Sequence, residues 1–505
     1  MKKIVIGLVL LMLLATSATT WAAPPEFSGG VNNEYTYEEV VFITGEPIKF
    51  VGTYTISESV KDDEKTVKYR FNKLVPEDKS IDATFDKEIT YVTKYDKRSD
   101  KGQTVGQTSV DKYREKLTIT KDEGKDVYEL QDYQFSKSDV IDNRPASDFY
   151  SGNLTGKKIY SINKDEGEVI VQISGGNAGY QNFWGNTETQ ILDYYISSER
   201  YIEGEDDEDD PEKESWTGTV KVQVSDSITK SLRYSENEAS YSSFNGGHIR
   251  ITNGEMVSRY DYNLPDVEDG EVQSSKRRQS GIYLSQKMVP KLERLIVPKF
   301  RDIGGHWAEE SIQKLYSLDV FDEQSSFFSP EIAFTRVEFI KGLIKACNIR
   351  TVLVEEQKTR RKRNEPPEEP IFSDMKVDDA NYTYVKDAVE KQITSGVTAT
   401  LFKPNDPLTR AQAITMMIKA LGFETKAPTP GYYTSFSDDK AIPSWAKDSI
   451  YVAREIGLIE GDNFNRVNPN AVVTRAQASA MLVRFLEFLE KDLQRDYREN
   501  IINFN

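Results

Sequence analysis

The sequence predicts a multidomain chain: an antiparallel, sandwich-like all-β region followed by an all-α region built from three repeated units. Three observations carry this. Apolar and polar residues alternate from Glu34 to about Met288, as at Ile48, Phe50, Tyr54 and Ile56 or at Val220, Val222 and Val224, which is the period of a half-buried strand. From Phe300 the apolar spacing becomes helical, as at Ile340, Leu343 and Ile344 or Ile414, Met417, Ile418 and Leu421, giving each helix one buried stripe. One helix start also recurs: FTRVEFIKGLIKAC from Phe334, LTRAQAITMMIKAL from Leu408 and VTRAQASAMLVRFL from Val473.

Residues 1–22 read as a signal peptide. Lys2 and Lys3 precede an apolar run from Ile4 to Ala15, and a small-residue stretch ends at Ala22, so cleavage is expected before Ala23 and the mature chain is expected to be exported. No later stretch approaches the ~20 apolar residues of a bilayer crossing, so no membrane span is expected after signal removal. A net charge of −17 argues against nucleic acid as a partner. The single cysteine, Cys347, lies in an apolar helical run and reads as a buried thiol. With only His248 and His306 in the chain, a histidine-built metal or catalytic centre is not expected, and no cofactor is implied.

Residues 23–290 form the acidic, β-rich region of one or two domains, expected to be exposed. Asn253-Gly254, between HIRIT and EMVSRYDY, has the composition of a two-residue hairpin turn, and KDEGKD joins KLTIT to VYELQDYQF in the same sense. The stretch 201–210 holds seven carboxylates, Glu203, Glu205, Asp206, Asp207, Glu208, Asp209 and Asp210. It reads as a solvated loop, because it lacks the alternating ligands and glycine turn of a calcium loop. Tyr180, Phe183 and Trp184 sit among glycines and amides, a composition that suits either sugar stacking or a core aromatic cluster. The region offers no nucleophile elbow, HExxH, phosphate loop or His-centred constellation, so no catalytic residue is assigned and the chain is not expected to be an enzyme. The rival reading is a wall-anchored enzyme or sugar-binding protein acting on polysaccharide, with Trp184 near its cleft.

The connecting segment 291–299 leads into the repeats, at 300–349, 372–423 and 436–488. They are separated by a charged linker, 350–371, and a shorter one, 424–435, and followed by a tail, 489–505. Each unit opens on Phe-x-Asp, at Phe300, Phe372 and Phe436, with Asp302, Asp374 and Asp438 two residues on. A first helix begins near Trp307, Tyr384 or Trp445, and a loop carrying Pro330, Pro404 or Pro469 precedes the second helix. Thr335 with Glu338, Thr409 with Gln412, and Thr474 with Gln477 form capping boxes. Capping does not explain Arg336, Arg410 and Arg475 at the first helical position, where the macrodipole disfavours a cation. Three such arginines suggest that guanidinium and helix N-terminus together hold an anion such as a carboxylate. The alternative is that they brace neighbouring loops or pair with the Phe-x-Asp carboxylates.

These units resemble S-layer homology domains, whose signature includes the opening Phe-x-Asp, a Trp-Ala at the first helix and a Thr-Arg-Ala-Glu/Gln start to the second. The resemblance covers residues 300–488. It implies that three units fold into one pseudo-threefold helical module anchoring an exported surface protein non-covalently to secondary cell-wall polysaccharide bearing pyruvate ketals, with self-association in a surface layer and an adhesive or lattice-forming β region. It implies that Arg336, Arg410 and Arg475 grip the anion and that Trp307, Tyr384 and Trp445 wall the grooves. The first copy is degenerate, lacking the glycine that Gly396 and Gly457 place after the first helix.

Overall fold

The computed structural model describes residues 36–121, 124–202, 212–235, 247–268, 271–295, 300–321, 325–348 and 369–495. The signal segment, the acidic run 203–210, most of the charged linker and the end of the tail lie outside these residues. The first half is β throughout. Its strands are β1 (Thr36–Val41), β2 (Ile48–Lys61), β3 (Glu64–Pro76), β4 (Ala83–Arg98), β5 (Gln103–Lys121), β6 (Gly124–Asn143) and β7 (Asp148–Ile162). They continue through β8 (Gly167–Gln181), β9 (Gly185–Ile202), β10 (Glu212–Ser235), β11 (Gly247–Glu268), β12 (Glu271–Lys287) and β13 (Lys291–Arg294).

β1 to β12 pair in sequence order in one antiparallel sheet, and β13 joins the edge of β11. The expected sandwich is therefore replaced by a single meander. Each strand pairs beside its predecessor, so among the described residues no strand crosses to a second layer. A sheet of so many long strands cannot stay flat, because the twist between neighbours accumulates. Here it curls far enough for the chain end of β1 to reach β11: Phe42 packs 5.7 Å from the ring of Tyr260 and 6.0 Å from that of Tyr262. The inward face carries the alternating residues read from the sequence, with Val220, Val222 and Val224 each buried beside Val169, Val171 and Ile173.

That interior also holds charge. Glu115 accepts from Lys158 Nζ at 3.0 Å and from the Tyr160 hydroxyl at 2.5 Å, while Lys87 reaches Glu115 at 3.7 Å and Glu39 at 2.6 Å. A second cluster places Lys137 within 3.0 Å of Glu188 and 3.3 Å of Asp139. These groups tie β1, β4, β5 and β7, and separately β6 and β9, across the trough of the curled sheet.

One turn read from the sequence is not a turn. Asn253 and Gly254 lie inside β11, opposite Thr229 and Ile228 of β10. They mark the place where the other edge of β11 changes partner, from β12 (residues 255–268) to β13 (residues 249–252). Met288 fills the gap. Its sulfur would lie 2.9 Å from a Cβ at Gly254, so glycine is required there by close packing rather than by a hairpin. In KDEGKD, by contrast, Lys121 faces Gly124 across the β5–β6 hairpin.

The second half supplies short helices: α1 (Glu309–Ser317), α2 (Arg336–Cys347), α3 (Tyr382–Glu390), α4 (Arg410–Leu421), α5 (Ser444–Glu455) and α6 (Arg475–Glu487). Isolated β-bridges link Ala333 with Thr474, Thr335 with Pro407, and Thr409 with Val472. The region is thus helical with a small β element at its centre rather than purely α. Among the described residues, no helix is long and apolar enough to cross a membrane.

The two halves share one core. Ala146, Tyr180 and Trp184 of the sheet belong to the same buried cluster as Phe339, Ile340, Met417 and Leu486 of the helices. Two of the contacts fall at the C-terminal ends of α2 and α4, where backbone carbonyls lack intrahelical donors, and a third falls in the π-helical turn, Phe488–Asp492, that extends α6. Trp184 Nε1 donates to Ala346 O at 2.9 Å, Ala146 N to Ala420 O at 2.9 Å, and Asn182 Nδ2 to Leu489 O at 3.3 Å. Gly422 ends α4 with φ 67°, and a Cβ there would meet the Arg144 side chain at 2.4 Å. Cys347 is buried at this junction, and burial pushes its thiol well up.

Candidate functional site

The three helix starts meet at one place, and the geometry follows from their sequences. Phe334 N donates to Val473 O at 2.9 Å, Val473 N to Leu408 O at 2.9 Å, and Leu408 N to Phe334 O at 2.8 Å. These bonds close a ring in which each unit donates to one neighbour and accepts from the other. All three side chains are buried.

Outside the ring the same order repeats. The amides at the first helical position, Arg336, Arg410 and Arg475, donate to Asp406 O, Ala471 O and Ile332 O. Those at the second position, Val337, Ala411 and Ala476, donate to Pro404 O, Pro469 O and Pro330 O. The third position is served by the cap: Glu338, Gln412 and Gln477 donate their amides to Thr335, Thr409 and Thr474 hydroxyls, and each side chain accepts from the cap amide in return. All four orphan donors of each helix, the cap amide included, are thereby used. Loss of one cap is expected to be modest: Thr409→Ala should lower stability by ~1 kcal/mol in denaturant unfolding, and no change would mean that the box contributes nothing here.

The arginines now have a structural account. Arg336 donates from Nε to Phe402 O and from Nη2 to Ser395 O, each at 3.2 Å. Arg410 donates to Val467 O at 2.8 Å and Glu460 O at 3.4 Å, and the Arg475 guanidinium lies 4.3 Å from the centre of the Phe328 ring. Each therefore reaches the next unit in the cycle. The Phe-x-Asp carboxylates hold the same loops from the other side: Asp302 accepts from Phe328 and Ser329 amides, Asp374 from Phe402 and Lys403, Asp438 from Val467 and Asn468. Ser329, Lys403 and Asn468 have φ of 57°, 58° and 51°, so the carboxylate pins a left-handed residue just before each loop proline. These amide bonds also depress the Asp302 and Asp374 carboxyls against the opposing effect of burial. Arginine and aspartate thus brace one loop jointly from opposite sides, and the Arg475 charge also helps to lower the Asp302 carboxyl.

Arg336 and Arg475 are buried, whereas Arg410 is half-buried. Trp307 is 64% exposed and Trp445 56%. Trp307 stands beside the seam between the first and third units, because its neighbour His306 bonds Glu331 at 2.8 Å in the loop that receives the Arg475 and Ala476 amides. Tyr384 is placed differently. It is half-buried within α3, packed on the helical core, with Lys341 Nζ 5.8 Å from its ring centre.

The turns after the first helices explain the offset. The bonds Val320 N to Leu315 O, Ile393 N to Ala388 O and Leu458 N to Ala453 O align Asp319, Gln392 and Gly457 as the left-handed stop residue, with φ of 58°, 58° and 69°. Gly396 lies four residues beyond this position, so the first unit keeps the turn with aspartate and is no more irregular here than the second. Counting back from the same bonds, Ala380 rather than Tyr384 corresponds to Trp445.

Trp184 is fully buried in the junction, so it does not present a stacking face to a sugar. Tyr180 is likewise buried, and Phe183 lies under Lys230 Nζ at 3.8 Å. The sequence read these aromatics as either sugar platform or core. They are the docking surface for the helical half, a role that required knowing which helix ends lacked hydrogen-bond partners.

The S-layer homology domain family profile matches residues 299–340, 371–414 and 435–479. An endoglucanase of Bacillus sp. (strain KSM-635) is 37% identical over 134 residues, covering 26% of this chain and 14% of the relative. The surface-layer 125 kDa protein of Lysinibacillus sphaericus is 28% identical over 208 residues, covering 40% of this chain and 16% of the relative. An exoglucanase XynX of Acetivibrio thermocellus is 29% identical over 190 residues, 37% of this chain and 16% of the relative. The chain therefore spans well under a fifth of the length of these relatives. The ring, its braced loops and the three matched segments coincide: the C-terminal half is a tandem of three S-layer homology domains, and the chain is an exported cell-surface protein.

Proposed function

We propose that the three domains anchor this chain non-covalently to an anionic, pyruvylated secondary wall polysaccharide, bound at the seams between units. The observation that carries this reading is the exposure of Trp307 and Trp445 on a closed ring whose far side is occupied by the β half. Twelve-residue helices such as α2 and α4 separate ring and docking surface by about 18 Å, so the polymer and the β half engage opposite ends. Arg410, the half-buried member of the three arginines, is the guanidinium we assign to a ketal carboxylate. Arg336 and Arg475 shape the seams around it, and the three-unit module acts as one pseudo-threefold body. The β half is read as a displayed, adhesive or lattice-forming region rather than a catalytic one. Its interior carboxylates Glu115 and Glu188 are engaged by lysines, which supports a structural role for them.

The test is co-sedimentation of the full chain with purified wall sacculi, before and after acid removal of the wall polysaccharide and its ketals. The expected result is binding that disappears with the polymer, and that falls at least tenfold in the double variant Trp307→Ala, Trp445→Ala while the unfolding transition stays in place. Binding that survives polymer removal would sink the reading.

A further inference from the structure

On its outward face the β sheet carries a groove of about 820 Å³ running across six strands, from β7 to β12. Its walls follow from strand register. Lys157, Gln172, Tyr195, Thr219, Asn263 and Gln279 are successive cross-strand partners and form one continuous row. Ser174, Asp193, Lys221 and Asp261 form the adjacent row, two residues along each strand, and this row ends at Gly281. The residues between the rows, among them Ile173, Val220 and Tyr262, turn inward and are buried, so the floor is backbone already committed to the sheet. At the usual spacing of strands, five intervals make the groove about 24 Å long.

We infer that this groove binds a linear, neutral glycan. Three features specify that chemistry. The first row offers amide donors and acceptors at Gln172 and Gln279, an amide donor at Asn263, whose Oδ1 already accepts from Arg277 Nε at 2.9 Å, and a hydroxyl at Thr219, groups that pair with sugar hydroxyls. Tyr195, 45% exposed in the middle of this row, supplies a flat apolar face with a polar tip. The charges of the second row compensate one another, Lys221 lying directly between Asp193 and Asp261, and Asp261 is further met by Arg259 at 2.8 Å. Apart from Lys157 at one end of the first row, the groove thus presents balanced charge, in contrast to the helical seams, for which an anionic polymer is proposed. A straight groove open at the side suits a chain of repeating units, and its volume lies within the range of ligand sites.

The experiment is affinity electrophoresis of the full chain in native gels containing hydroxyethyl cellulose, neutral arabinoxylan or amylopectin, with polygalacturonate as the charged comparison. Retardation by at least one neutral polymer is expected. Tyr195→Ala should weaken it about tenfold and Gln172→Ala several-fold. Both residues point outward, and circular dichroism with the unfolding midpoint checks that each variant is folded. Sedimentation with wall sacculi should be unchanged in both variants, which separates failure here from failure of the anchoring proposal. No retardation by any neutral polymer, retardation by polygalacturonate alone, or full retention by folded Tyr195→Ala would each overturn the inference.

Discussion

Trp184→Ala is expected to cut the two halves of the molecule apart. The side chain is fully buried and its indole N–H donates to Ala346 O. Truncation removes a large ring from the shared core and leaves a helix-end carbonyl without its donor, and such losses cost about 3–5 kcal/mol. Because the ring sits at a junction rather than inside one half, the loss should appear as decoupling. In calorimetry the single transition should split, and limited proteolysis should begin to cleave between the halves. Trp184→Phe retains most of the packing and should lose only the hydrogen bond, about 1 kcal/mol. If Trp184→Ala melts as the parent does, in one transition at the same temperature, the junction is not what holds the halves together.

Glu115→Ala should be similarly damaging for an electrostatic reason. Lys158 and Lys87 both lean on this buried carboxylate, and removing it takes a counter-charge from two buried ammonium groups, of which Lys87 also meets Glu39. Breaking a buried ion pair from one side typically costs about 3–5 kcal/mol, whereas replacing the whole set by apolar residues of similar size is often neutral. The expected contrast is therefore a large fall in urea midpoint for Glu115→Ala and near-parental stability when Glu39, the partner of Lys87, is replaced as well, in Glu39→Leu, Glu115→Leu, Lys87→Met, Lys158→Met. Equal losses in both would locate the energy in shape and not in charge.

The same site fixes a pH dependence. Burial works to raise the Glu115 carboxyl, but Lys158 and Lys87 together with the Tyr160 hydroxyl lower it from 4.5 to about 2. A depressed acid contributes stability that is fully present above its unfolded value and is lost as protons bind to the folded state. The contribution of Glu115 should hold from neutrality to about pH 4.5 and fall away between there and about pH 2. Glu115→Gln should flatten that part of the stability profile, and an unchanged profile would exclude this group as its source.

The repeats were the most legible part of the chain, because their signals are local. A threonine three residues before Glu or Gln says where a helix begins whatever surrounds it, and all three caps formed as read. The arginines were less legible. The partners of Arg336 and Arg410 are carbonyls 50 to 66 residues away, and backbone acceptors leave no trace in sequence; Arg475 meets the Phe328 ring of the first unit. Tyr384 was misaligned with the two tryptophans because glycine at 457 drew the eye to Gly396, while the real stop residue is Gln392, a side chain with no preference for φ of 58°. In the sheet, alternation gave the strands but could not distinguish one curled layer from two stacked ones, since both bury one face. Asn253-Gly254 misled for the same reason: turn composition and close packing at a change of strand partner both demand a small residue.

The ring of Phe334, Leu408 and Val473 has a consequence for biogenesis. An exported chain is delivered N-terminus first, and the cycle of three bonds cannot close until residue 473, which makes two of them, has arrived, 139 positions after the ring's first member. Until then the loop around Pro330 has Asp302 but lacks the Arg475 and Ala476 amides, whereas the loops at Pro404 and Pro469 take their partners from residues that precede them. Loop-closure entropy must be met before these distant contacts reward it, so the three domains mature together and late. If the ring anchors the chain as proposed, attachment is in this sense a checkpoint on delivery: a chain stalled in transit, or clipped within its last domain, carries a complete sheet but no closed ring.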